Sequence, residues 1–114
     1  MGIRSDVGIA VKAEFIEGFE AKAKEVELDL DWATKYATEE GTLYVFNSIK
    51  WYRDCNDYLC DAIHEYLEGI GEENYKLVEA CSEYPENGAD DGSWEDNPWG
   101  VCKQVSVELY FDNP

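Results

Sequence analysis

The chain has 114 residues, 45% hydrophobic and 14% aromatic, with 26 Asp and Glu against 9 Lys and Arg for a formal net charge of -17. That length suits one compact domain spanning residues 1–114, able to bury a core without staples, and the apolar content excludes a disordered acidic tail. The charge excludes direct nucleic-acid binding as a default, because phosphates are repelled, and favours a basic partner, bound cations or plain solubility.

In chain order, "DVGIAVK" (6–12) alternates, with Val7, Ile9 and Val11 pointing one way, and predicts a short strand. "AEFIEGFEAKAKEV" (13–26) spaces Phe15, Ile16, Phe19, Ala23 and Val26 on one helical face, although Gly18 lowers the helix propensity there. "DLDWATKYATEEG" (29–41) reads as a connector, with room for a short helix before Gly41. "TLYVFNSIKWY" (42–52) is aromatic and β-branched, the composition of a central strand. Residues 56–70 predict a second helix, with Asn56 or Asp57 as N-cap and Gly69 or Gly71 as its stop. "YKLVEACS" (75–82) and "VCKQVSVELYF" (101–111) predict two further strands, the latter with Val101, Val105, Val107, Leu109 and Phe111 on one face. Between them, residues 83–100 form a long polar loop with two Trp and six acids, and a loop of that length in a small domain is usually functional or disordered.

The order β-α-β-α-β-β predicts an α+β single-domain sandwich: a sheet of about four mainly antiparallel strands with the helices packed on one face. No stretch approaches the ~18 apolar residues of a membrane helix. The opening "MGIRSDVGIAVKAEF" lacks the apolar run of a secretory signal. A cytoplasmic protein is expected, with Cys55, Cys60, Cys81 and Cys102 reduced. The oligomeric state is open, a homodimer included.

The second helix raises the functional question. At about 100° per residue, Leu59, Ile63, Leu67 and Ile70 fall in a sector of about 80°. Asp57, Asp61, Glu65, Glu68 and Glu72 fall in a similar sector opposite. An ordinary solvated face mixes Glu with Lys and gains ~0.2–0.5 kcal/mol per pair, whereas like pairs lose as much. The helix dipole favours acids only in the first turn, so it does not account for Glu68 and Glu72. The bias extends further: residues 54–102 hold fourteen acids and one base, Lys76, while the first 53 hold ten acids and seven bases.

Carboxylates four residues apart on a helix lie roughly 5–6 Å apart, near the spacing of successive phosphates, so such a row suits a Lys- and Arg-lined site built for a phosphate backbone. That is the logic of a DNA mimic. The same surface would serve an immunity-type inhibitor that plugs a basic nuclease. In the loop, Asp90, Asp91, Trp94, Glu95, Asp96 and Trp99 are candidate partner contacts, since Trp is enriched at interface hot spots. The competing reading has both indoles folding back to cover the sheet edge or the core.

Metal and catalytic chemistry have weaker support. Cys60, His64 and Glu68 stand four residues apart, but no second Cys/His pair completes a closed zinc site. "ENGADDGSWEDN" fails the EF-hand pattern, because aligning Gly92 places Ala89 at a ligand position and Pro98 where the Glu belongs. A small Ca- or Zn-binding protein is therefore an alternative, with no metal ligand and no cofactor assigned. No Gly-rich phosphate loop, GxSxG or HExxH is present, so the expectation is a protein that is not an enzyme and has no catalytic residues.

Three stretches, "MGIRSDVGIA" (1–10), "SIKWYRD" (48–54) and "SWEDNPWG" (93–100), together resemble small acidic accessory proteins encoded by tailed bacteriophages. The resemblance spans about a quarter of the chain and implies a setting: the host cytoplasm, and a class that includes DNA mimics acting against restriction or CRISPR defences. The function expected is a non-enzymatic phage-type protein that binds a basic, nucleic-acid-binding host protein, without touching nucleic acid or membrane itself. The alternative is an accessory protein whose acidity serves solubility.

Overall fold

The computed structural model describes residues 5–49, 58–80, 89–104 and 108–110. The elements are β1 (Ser5–Lys12), α1 (Ile16–Glu25), β2 (Ala33–Ala37), β3 (Gly41–Ile49), α2 (Tyr58–Ile70), β4 (Tyr75–Ala80), β5 (Ala89–Asp91), β6 (Cys102–Gln104) and β7 (Glu108–Tyr110). Short 3-10 turns precede α1, β2 and β4. Five strands form one antiparallel sheet in the order β2-β3-β1-β4-β5, and β6 and β7 form a separate hairpin beside β1, β4 and β5. The α+β class and the antiparallel sheet are as expected, with five strands in the sheet rather than about four.

Strand period decides the two faces. Val7, Ile9 and Val11 of β1 line one face with Tyr44 and Phe46 of β3 and Tyr75 and Leu77 of β4. Both helices cover that face through Phe19 and Ala23 of α1 and Ile63 and Leu67 of α2, all fully buried. Ala10, Leu43, Val45 and Val78 line the opposite face, where Trp94, Trp99 and Val101 cover them. Every residue of β4 is consequently buried. Gly18 has a packing reason: a Cβ there would meet Tyr66 Oη at 2.5 Å, and Tyr66 donates a hydrogen bond to the Phe15 carbonyl at 3.2 Å.

The ends of the helices differ in an instructive way. Past α1, Leu28 N–H bonds the Ala23 carbonyl and Glu27 N–H bonds the Lys24 carbonyl, a Schellman closure with Glu27 itself at φ 63. Past α2, Gly71 turns the chain out of the helix at φ 101 and ψ 139, an extended positive-φ conformation that glycine adopts without strain.

Three expectations are corrected. The connector 29–41 holds a strand, β2, paired with β3 through a Thr38–Gly41 turn in which the two backbones bond each other. As a largely exposed edge strand of sequence ATKYA, it has no alternation to announce it. The region 101–111 is not one strand: Cys102 pairs with Tyr110 and Gln104 with Glu108 in a hairpin, while 105–107 lie outside the described residues. Residues 104–108, "QVSVE", hold no Gly, Pro, Asn or Asp to mark a reversal. The 83–100 loop contains β5, which extends the sheet beside β4.

Candidate functional site

The acidic half is built around β4. Its Lys76, the one base of residues 54–102, is nearly buried, with its side chain 7% exposed. Its ammonium lies 2.7 Å from Asp90 Oδ1 and 3.1 Å from Glu95 Oε1. Burial alone would lower the Lys76 pKa, but hydrogen bonds and charge from Asp90 and Glu95 outweigh it and hold the ammonium above its usual range. Lys76 is thus a fully charged internal staple between β4, β5 and the following loop, and it offers no positive charge to the surface.

The loop after β5 is anchored in three ways. Gly92, at φ 84, passes so close to Tyr75 that a Cβ would run into the Tyr75 carbonyl. Ser93 N–H then donates to the Glu72 carbonyl at 2.7 Å and Trp94 N–H to the Tyr75 carbonyl at 3.1 Å. Buried Asn97 donates from Nδ2 to the Trp94 carbonyl at 2.8 Å and accepts from Val101 N–H at 3.1 Å. The indoles of Trp94 and Trp99 meet edge to face at 6.1 Å, and the Lys12 ammonium sits 5.8 Å from the Trp94 ring.

This geometry sorts the candidate contacts. Trp94 and Trp99, read as surface anchors, are 6% and 0% exposed and cover the sheet instead. An indole is too large an apolar surface to leave in water when a bare sheet face lies alongside. The large hydrophobic that is exposed among the described residues is Trp32, at 61%. It stands in the turn before β2, in a stretch whose sequence shows no signal beyond the Trp itself.

Asp90 and Glu95 are partly exposed but engaged by Lys76. Asp91 is half-buried next to His64, and Asp96 is exposed. On α2, Glu65 and Glu68 are exposed as the wheel predicts. Glu65 also lines a groove of about 420 Å³ between the helices with Lys22, Tyr66 and Ile70. Asp61 lies on α2, its side chain outside the described residues, and Asp57 lies outside them altogether.

Glu72 is a correction. The helix ends at Ile70, so Glu72 opens the 3-10 turn Glu72–Asn74 rather than continuing a straight row. The acidic strip continues by tertiary contact: the Ser93–Glu72 bond sets the Glu72–Glu73 turn against the loop that carries Glu95 and Asp96.

His64 points away from this strip. Its Nε2 lies 3.2 Å from Glu79 Oε1 and its Nδ1 3.8 Å from Asp91 Oδ2. Of the neighbours the sequence spacing offered, Glu68 is exposed and does not enter that group, and the Cys60 side chain lies outside the described residues.

No helix among the described residues is long and apolar enough to cross a membrane. The chain matches no protein-family model, no curated protein and no solved structure at a significant level.

Proposed function

We propose that this protein is a non-enzymatic binding module whose acidic half docks on a basic, nucleic-acid-binding protein, in the place a phosphate backbone would take. One observation carries the reading: Glu65, Glu68, Glu72, Glu73 and Asp96 form an exposed carboxylate strip beside a Lys76 that is internal and already answered by two acids. A surface of that kind gains from counterion release on a basic partner, associates fast and is screened by salt. The phage-type setting implied by the sequence resemblance makes a host-defence nuclease or repressor the natural class of partner.

The test is a salt-graded capture from bacterial lysate, with the native chain and a Glu65→Lys, Glu68→Lys, Glu72→Lys variant as baits. The native bait should hold a DNA- or RNA-binding protein at about 50 mM salt and release it well before about 500 mM. The reversed bait should hold none, and duplex DNA should displace the native bait. Equal retention by both baits, or binding indifferent to salt, would make the strip a solvated surface and refute the mimicry.

A further inference from the structure

We propose that His64, Glu79 and Asp91 form a three-ligand site for a divalent transition metal ion of the zinc class. The three side chains come from three different elements, α2, β4 and β5, and meet on the helix-covered face of the sheet. Strand period puts Glu79 on the same face as Tyr75 and Leu77, and the β4–β5 register sets Asp91 opposite Leu77. His64 reaches down onto this pair from α2, next to the fully buried Ile63 and about one turn before the fully buried Leu67. One ligand atom from each of the three lies within 4.8 Å of the others.

The dimensions and chemistry fit. Bonds of about 2.0–2.1 Å in a tetrahedral zinc site place ligand atoms roughly 3.4 Å apart. His64 Nε2 and Glu79 Oε1 are 3.2 Å apart as they stand. Asp91 Oδ2 lies 3.8 Å from the other ring nitrogen, Nδ1, and its side chain, 36% exposed, must shift to reach the same ion. Glu79 is 2% exposed and His64 15%, so two of the three ligands are held by packing rather than waving in solvent. One imidazole nitrogen with two carboxylates selects zinc-class ions, whereas calcium and magnesium prefer all-oxygen sets. Three protein ligands leave a fourth position for water or a donor from a partner. The surrounding net charge of -17 raises the local concentration of any cation.

His64 is the chain's only histidine, so its ring protons report on this site without ambiguity. The experiment uses the full chain, stripped with chelator, kept reduced and titrated with Zn²⁺, Ca²⁺ or Mg²⁺ while following the His64 ring resonances and the Tm. One equivalent of Zn²⁺ should move the ring signals, and a hundredfold excess over Kd should raise the Tm by about 5 °C or more, reversed by chelator. Ca²⁺ and Mg²⁺ should do neither. Asp91→Asn, a mild change at a half-exposed position, should weaken Zn²⁺ by about tenfold or more while leaving the fold intact.

With Co²⁺ as the probe, the absorption spectrum should lack a thiolate charge-transfer band. Ring signals unmoved by Zn²⁺, an Asp91→Asn chain that binds as the native one does, or a strong thiolate band pointing to the cysteines would each overturn the proposal.

Discussion

The two helices lie on the same face of the same sheet and bury the same kind of stripe, yet their outer surfaces differ. α1 has Glu17 and Glu25 interspersed with Lys22 and Lys24, and Lys22 pairs with Glu25 at 3.4 Å. α2 has Glu65 and Glu68 outside and no base in its last turn. Packing on the sheet therefore does not require an all-acid surface, since α1 manages with a mixed one. Packing on the sheet thus leaves the charge of a helix's outer surface undetermined. The polar ties to the sheet differ as well. α1 is joined to β3 by Tyr44 Oη donating to Glu20 Oε2 at 2.7 Å, reinforced by the Lys35 ammonium at 3.2 Å, whereas α2 is joined to β4 by the His64–Glu79 contact.

The comparison breaks first at the core if the helices are not equivalent anchors. Phe19→Ala in α1 should cost about 3–5 kcal/mol and Leu67→Ala in α2 about 2–5 kcal/mol, read by urea denaturation. Both side chains are fully buried against the same strands, so a loss under about 1 kcal/mol at either would show that helix to be dispensable to the core.

A smaller contrast lies in the helix stops. Glu27 follows α1 at φ 63, whereas Gly71 follows α2 at φ 101 and ψ 139, an extended positive-φ conformation open to glycine. Glu27→Gly should stabilise by up to about 1 kcal/mol, and Gly71→Ala should destabilise by about 1–2 kcal/mol. Thermal melts of the pair should shift in opposite directions; shifts of one sign would mean the positive φ is not what limits either end.

The smallest effect concerns the tie of α1. The hydrogen bond from Tyr44, opposed by modest burial and helped by Lys35, holds the Glu20 carboxyl below its ordinary range. A depressed carboxylate contributes stability above its unfolded pKa, near 4.3, and loses it as pH falls through the lower folded value. Burial and the Glu20 partner push the Tyr44 phenol the other way, well above its ordinary range, so it stays protonated. Tyr44→Phe should therefore cost about 1 kcal/mol at neutral pH, the modest figure because Glu20 is partly exposed. It should also flatten the fall of Tm between pH 5 and about 3. In the native chain, Tyr44 adds the opposite slope at high pH: its stability is present below about 10, where the unfolded phenol ionises, and declines above it. A Tyr44→Phe chain with an unchanged acid limb would place the pH dependence elsewhere.

Much of the fold is legible residue by residue. Val7, Ile9 and Val11 announce both a strand and its inward face, and Phe19 with Ala23, and Ile63 with Leu67, announce helices of the right phase, because burial repeats with the backbone's own period. The edge strand Ala33–Ala37 was hidden for the converse reason: with little of it buried, it has no period to show. The same limit applies to the site. Exposure of Glu65 and Glu68 could be read from their phase on the helix, because the opposite face had to meet the sheet.

By itself, then, the sequence determined an α+β chain with both helices on one sheet face and an excess of carboxylate in one half, properties that depend on local period and composition. Only the tertiary structure decided that Trp94 and Trp99 are core, that Lys76 is an internal staple, and that Glu72 belongs to a turn bonded to Ser93. It also decided that His64 meets Glu79 and Asp91, fifteen and twenty-seven residues further on. Each of these depends on strand order and register, which bring distant segments together by where the sheet has room, and no periodicity within a segment encodes that.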